Sequence, residues 1–195
     1  MRSNISFYQL TGLVFLLFLS GLLKSVAQQY TLDNIRSVTI LTGTTNHKDW
    51  QLNVKEHKGS LLLENNGTRV LSSLYVEIPV MSLKGNKKGM EKDAYKAMKA
   101  ETHPNVSFSL TAPVALEPSV DNTYNIIARG DLSISGITKP IELRFTLTRT
   151  TNGVDLEGEK SIDMTEFGIE PPKAFWGLLK VNKEVTVKFT TTFLK

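Results

Sequence analysis

Three imidazoles, His47, His57 and His103, are present and cysteine is absent. Three histidines suffice for a zinc site, but their spacings fit no local ligand motif and there is no thiolate to join them. His47 and Asp49 would share one face of a strand, which is a weak hint. Turn and surface roles account better for all three, so no metal is expected. A covalent mechanism needs a nucleophile held against a base. The sequence contains no Gly-x-Ser-x-Gly elbow, no His-Glu-x-x-His and no phosphate-binding glycine loop. Ser133 and Ser135 fall on the polar phase of an alternating segment, where solvation is the expected role. The run Lys84-Gly85-Asn86-Lys87-Lys88 offers charge to an anionic lipid head or a pyrophosphate, although such runs are usually wet loops. What remains is a set of large apolar side chains, and their chemistry is burial: no cofactor, no catalysis. Trp50, Phe175 and Trp176 stand out, the last two in the proline-rich loop from Glu170 to Gly177, although single aromatics are more often packed than functional.

These residues need elements to hold them. The 195-residue chain opens with Arg2 in a polar head, an apolar run from Leu10 to Leu23, and small side chains at Ser25 and Ala27. That order predicts a signal peptide over residues 1–27 and a periplasmic or secreted domain over 28–195. The run falls short of the roughly 20 residues that cross a bilayer. Lys24, beside the expected cut, keeps an uncleaved N-terminal anchor as the alternative. Arg2 and Lys24 leave with the leader, so the formal charge of +4 overstates how basic the working protein is. Nothing suggests an electrostatic grip on nucleic acid. Without cysteine, an exported chain must draw its stability from one well-packed core.

After Gln28 the hydrophobic period is two almost throughout, the mark of strands. Val38 and Ile40 share a side, as do Trp50, Leu52 and Val54, then Leu74, Val76, Ile78 and Val80, then Val106, Phe108 and Leu110. Longer alternating segments run from Tyr124 to Ile134, Ile141 to Leu147, Val154 to Met164 and Val185 to Phe193. Turns are expected at Asn65-Asn66-Gly67, Gly136 to Pro140 and Asn152-Gly153, and Pro79 suggests an edge or a bulge. Met90, Ala94, Ala97 and Met98 lie at helical spacing and predict one short amphipathic helix over Met90 to Ala100. Eight or more strands, each with one apolar phase, must bury it in a two-sheet sandwich or a closed barrel. The long strands between Tyr124 and Met164 favour the barrel. Small inward residues, Ala128, Gly130 and Gly158, leave room inside or permit bending. Periodicity alone leaves a solid core and a ligand cavity both open.

Three blocks, in this order, resemble the YceI-like family. The first is His103-Pro104-Asn105-Val106-Ser107-Phe108. The second runs Ala128-Arg129-Gly130-Asp131-Leu132-Ser133-Ile134-Ser135-Gly136-Ile137-Thr138-Lys139-Pro140. The third is Ile162-Asp163-Met164-Thr165-Glu166-Phe167-Gly168-Ile169, ahead of Lys183-Glu184-Val185-Thr186-Val187. The likeness spans the chain after the leader. It implies an all-β fold, an extended antiparallel lipocalin-like β-barrel with one short helix, exported to the periplasm. It further implies an apolar tunnel for an isoprenoid or fatty-acid-like lipid, carried or sequestered without chemistry, with transient membrane contact. The first half departs from the pattern. Gly43 to Trp50 stands where many members have a longer apolar strand, and Gly89-Met90-Glu91-Lys92-Asp93 replaces the Arg-Asp pair that usually opens the helix.

The expected ligand-binding set is Trp50, Met90, Tyr95, Met98, Phe108, Ile126, Ala128, Leu132, Phe145, Phe175 and Trp176. Met90, Tyr95 and Met98 are placed at the mouth, because methionine adapts to irregular apolar shapes, and the Phe175–Trp176 loop is placed beside it. Burial of about 0.8 kcal/mol per CH₂ gives roughly 4 kcal/mol per isoprene unit before entropy costs, so a few units would support micromolar binding. The competing readings are a barrel with a filled core that regulates a membrane-associated partner and, more weakly, an enzyme acting on a lipid head group.

Overall fold

The computed structural model describes residues 26–65, 67–117, 119–174 and 179–195. The expected leader (residues 1–27) therefore lies almost wholly outside the described residues, as do Asn66, Phe175 and Trp176. The chain forms β1 (Val26–Thr45), β2 (Asp49–Val54), β3 (Lys58–Asn65), β4 (Arg69–Pro79) and β5 (Leu83–Lys84), then helix α1 (Lys88–Ala97). It continues with β6 (Asn105–Leu110), β7 (Val114–Leu116), β8 (Thr123–Ile134), β9 (Ile137–Arg149), β10 (Gly153–Asp163), β11 (Lys173–Ala174) and β12 (Leu179–Leu194). Among the described residues no helix is long and apolar enough to cross a membrane.

The strands β1, β3, β4, β6, β8, β9, β10 and β12 are antiparallel neighbours in that order, and β12 pairs back onto β1, closing an eight-stranded barrel. Closure joins the first and last strands of the wall, which disposes of the sandwich alternative. β1 is 20 residues long and changes partner along its length. Its first residues, Val26 to Thr31, pair with β3, and Ile40 to Thr44 pair with β2. The change coincides with an interruption at residues 55–57 and with a register shift between Asp33 and Val38. Asn34 fastens the two irregularities together. Its Nδ2 donates to Lys55 O at 3.2 Å, and its Oδ1 accepts from His57 N at 2.6 Å and lies 3.0 Å from His57 Nδ1.

The register shift explains why the apolar signal misleads on β1. Val38 and Ile40 do share a face, but it is the outer one, and Val38 is 54 % exposed. The inner face carries Ser37, Thr39, Leu41 and Gly43. Elsewhere the alternation reads correctly: β8 buries Tyr124, Ile126, Ala128, Gly130, Leu132 and Ile134 in strict period two. The turn between β8 and β9 is tighter than expected. Only Ser135 and Gly136 form it, both with positive φ (52° and 83°), as a two-residue hairpin compatible with strand twist requires. Ser135 is consequently buried rather than solvated. Pro140 lies in β9 itself, where that strand has no second neighbour, a place open to proline. Pro79 does not bulge; it ends β4 beyond the last β3 pair at Glu77, with β6 as its one ladder neighbour, and a 3₁₀ turn follows at Val80–Ser82. The helix is Lys88–Ala97, two residues earlier than its apolar spacing suggested, and Lys99 leaves it with φ 53°.

The interior has two halves. At the end where β8 begins and β12 finishes, Tyr30, Leu61, Leu71, Tyr124, Leu147, Val154 and Phe193 interlock with 0–5 % exposure. Two phenols bring hydroxyls to this end. Tyr124 Oη accepts from Arg69 at 3.0 Å and Tyr30 Oη donates to Gln28 at 2.7 Å. Among the described residues no side chains fill the other half.

Candidate functional site

The hollow half encloses about 1480 Å³. Register fixes its depth. Leu156 and Thr191 face each other across β10 and β12 and line the space, whereas the next pair down, Val154 and Phe193, is fully buried in the packed half. Above that floor the walls carry Leu74, Val76 and Ile78 from β4, Ile141 and Leu143 from β9, and Val185, Val187 and Phe189 from β12. On the opposite side α1 presents Met90, Ala94, Ala97 and Met98, one helical face, over the gap beyond β2 and β5.

Three wall aromatics are seated on glycines. Gly43 pairs directly with Trp50, and a Cβ at 43 would lie 2.6 Å from Trp50 Cε2. Gly158 pairs directly with Phe189, and a Cβ there would lie 2.8 Å from Phe189 Cζ. Gly130 takes the Phe108 ring in the same way, at 2.5 Å. A ring lying over a glycine stays against the wall, so the small inward residues create space indirectly, by letting large neighbours fold back. Trp50 Nε1 is buried, with no hydrogen-bond partner among the described residues. Phe145 meets Phe189 edge to face, with centroids 6.4 Å apart.

Of the expected site residues, Trp50, Met90, Met98, Phe108, Leu132 and Phe145 all line this one cavity. Ile126 and Ala128 point inward but are buried in packed core, off the cavity lining. Tyr95 is a correction. It is absent from the cavity lining, and its hydroxyl donates to Leu83 O at 2.6 Å while accepting from Lys84 Nζ at 2.8 Å. That bond, with Glu91 nearby at 3.8 Å, raises the Lys84 pKa, the Tyr95 contact being the larger cause. Tyr95 therefore anchors the helix rather than lining the cavity. Phe175 and Trp176 lie outside the described residues. Sequence reasoning missed Thr39 and Leu41, hidden by the register shift in β1, and most of β12, whose Val185-to-Phe193 alternation was read without assigning it to a site.

The rim mixes charges. Lys48, Asp49, Lys87, Asp93 and Glu184 stand around the opening. Beside them Lys183 Nζ meets Asp163 Oδ2 at 2.7 Å, and this contact, helped by Thr165, holds the Asp163 pKa down at about 2. Between β9 and β10 the ladder stops at Phe145 and Gly158. The 3₁₀ turn Met164–Phe167 closes the resulting slit, with Met164, Phe167 and Ile169 buried and Glu166 3.5 Å from Lys139. His57 sits at the β2–β3 interruption and His103 lies against Gly136, so neither belongs to the cavity.

A closed antiparallel barrel with one packed end and one apolar, open-mouthed end is a lipocalin-like architecture. Residues 25–193 match the YceI-like domain, and the chain belongs to that family. No protein of curated function matches it in sequence. Among solved structures it is similar to BcnA of Burkholderia cenocepacia, with 18 % identity, a TM-score of 0.67, and coverage of 83 % of this chain and 98 % of that one. It is also similar to a polyisoprenoid binding domain from Saccharophagus degradans implicated in plant cell wall breakdown, with 11 % identity, a TM-score of 0.69, and coverage of 85 % and 97 %. A mutant CJ YCEI protein is similar at 13 % identity and a TM-score of 0.51, covering 71 % and 82 %. At these identities the likeness is one of fold.

Proposed function

We propose that this protein holds a long apolar lipid, isoprenoid or fatty-acid-like, in the hollow half of its barrel, and that it works as an exported carrier or sequestering protein with no covalent step. The observation that carries this reading is the 1480 Å³ of unfilled interior walled by Leu, Ile, Val, Met and aromatic side chains. An apolar chain entering such a space gains about 0.8 kcal/mol per buried CH₂, whereas an empty one forgoes those contacts. A barrel that served only as a scaffold would have no use for the void, which weighs against the filled-core alternative. The polyisoprenoid binding named for the Saccharophagus degradans domain supports the same ligand class, and the leader-like first residues support export. Transient contact with a bilayer at the open end is the route by which cargo would arrive. Native mass spectrometry of protein purified from its host tests the proposal: a lipid adduct that organic extraction removes is expected. A bare polypeptide mass under gentle conditions, together with no uptake of added prenols or fatty acids, would sink it.

A further inference from the structure

The inner face of β10 reads Val154, Leu156, Gly158, Lys160, Ile162 and Met164. Lys160 breaks an otherwise apolar stripe. Its phase is fixed by its neighbours: Gly158 faces the rings of Phe145 and Phe189, Val187 lies opposite Lys160 itself, and Leu41 lies opposite Val187 on β1. Lys160 lines the cavity and is half-buried. The other charged groups at the opening belong to loops, to α1, or to the outer phases of β2 and β12, so among the described residues Lys160 is the one charge on the inner strand face at cavity level.

Among the described residues it has no counter-ion there. None of the ion pairs on the described surface includes Lys160. Nor does the mouth end of its own strand offer an easy exit. Asp163 is three residues on, about 10 Å at ~3.3 Å per residue, with Ile162 on the face of Lys160 in between. A lysine whose strand neighbours at this level are Val187, Leu41 and Ile162 meets no anion among them, and lysine is almost never fully buried unless paired. One and two inward positions deeper, the buried residues Thr39 and Thr191 bring hydroxyls to the same wall.

We propose that Lys160 receives the oxyanion of an acidic long-chain lipid, a carboxylate or a phosphate monoester, inside the lumen rather than at the rim, with Thr39 and Thr191 as hydroxyl donors on the same wall. This rests on the lipid-holding reading and names the head group it serves. The mixed charges of the rim give no such preference, so selectivity belongs to the interior cation.

The test compares palmitic acid with its methyl ester, and geranylgeranyl monophosphate with geranylgeraniol, by displacement of a fluorescent lipid from the folded full chain at pH 8. Wild type is expected to prefer each acid over its neutral analogue by about tenfold or more, the range of a hydrogen bond to a charged group. Lys160→Met should erase that preference while keeping or improving affinity for the neutral analogue, and Lys160→Arg should retain most of it. The larger of the two acid preferences identifies carboxylate or phosphate. Equal preference in wild type and Lys160→Met, or no preference in wild type, overturns the assignment. Failure of the neutral analogues as well as the acids would instead overturn the lipid-holding reading beneath it. Unchanged thermal unfolding of Lys160→Met excludes misfolding as the cause.

Discussion

Gly43→Ala is a small change with a calculable effect. The new Cβ would sit 2.6 Å from Trp50 Cε2 and 2.9 Å from Nε1. Ordinary carbon contacts begin near 3.5 Å, so the ring must retreat by about 1 Å. The wall cannot give way instead, because β1 is hydrogen-bonded to β12 on one side and β2 on the other at this level. The indole therefore moves into the lumen. Overpacking of this kind costs about 1–3 kcal/mol, and each kcal/mol lowers the melting temperature of a domain this size by about 2–4 °C. Lipid uptake should fall as well, since the displaced ring occupies cavity space. The decisive assay is a double-mutant cycle: chemical denaturation of wild type, Gly43→Ala, Trp50→Leu and the double variant. With the indole removed, the added methyl meets no ring, so Gly43→Ala should cost little in the Trp50→Leu background, giving a coupling of at least about 1 kcal/mol. Additive effects would show that the ring does not rest on Gly43 and would refute the account of how the aromatic wall keeps the lumen open.

Tyr95→Phe removes the hydroxyl that ties α1 to Leu83 O and Lys84. A loss of about 1 kcal/mol is expected, concentrated in the helix, so amide exchange along Lys88–Ala97 should accelerate while β8 and β9 stay protected. Equal exchange in the two proteins would remove Tyr95 as the anchor. His57 provides a pH signature. Burial lowers its pKa below 6.5, so the unfolded chain takes up a proton before the folded one does. Its contribution to stability is fully present above about pH 6.5 and is lost as pH falls from there to the depressed folded value. Denaturation midpoints between pH 7 and 5 should decline in wild type and flatten in His57→Gln, and parallel slopes would count against the assignment.

Much of the barrel was legible because period-two alternation is an unambiguous instruction when one face is buried. β8 carries it without exception over Thr123–Ile134, and the helical spacing of Met90, Ala94, Ala97 and Met98 marked both the helix and its lumen-facing side. Legibility failed where backbone geometry, not side-chain type, sets the outcome. The Asp33–Val38 register shift put Val38 and Ile40 outside and Thr39 and Leu41 inside, and no local pattern announces such a shift. Tyr95 was misplaced because a rotation of one residue on a helix, about 100° at 3.6 residues per turn, exchanges a lumen contact for a backbone anchor. The division into solid and hollow halves was invisible for a different reason. Leu147 and Leu143 are the same residue type in the same phase of one strand, and only the rings folded back over Gly43, Gly130 and Gly158 decide which level has room to spare.

That division governs what happens when the protein stands empty. Walls of leucine, valine and phenylalanine facing a void tend to collapse inward, and a barrel hollow from end to end would lose its shape between one cargo and the next. Here the interlocked layer around Leu61, Leu71, Leu147 and Phe193 ties seven of the eight strands together at one end, all but β6, like the base of a vessel. Loading and unloading can then proceed in the upper portion, while the part that sustains the native state never learns whether the container is full.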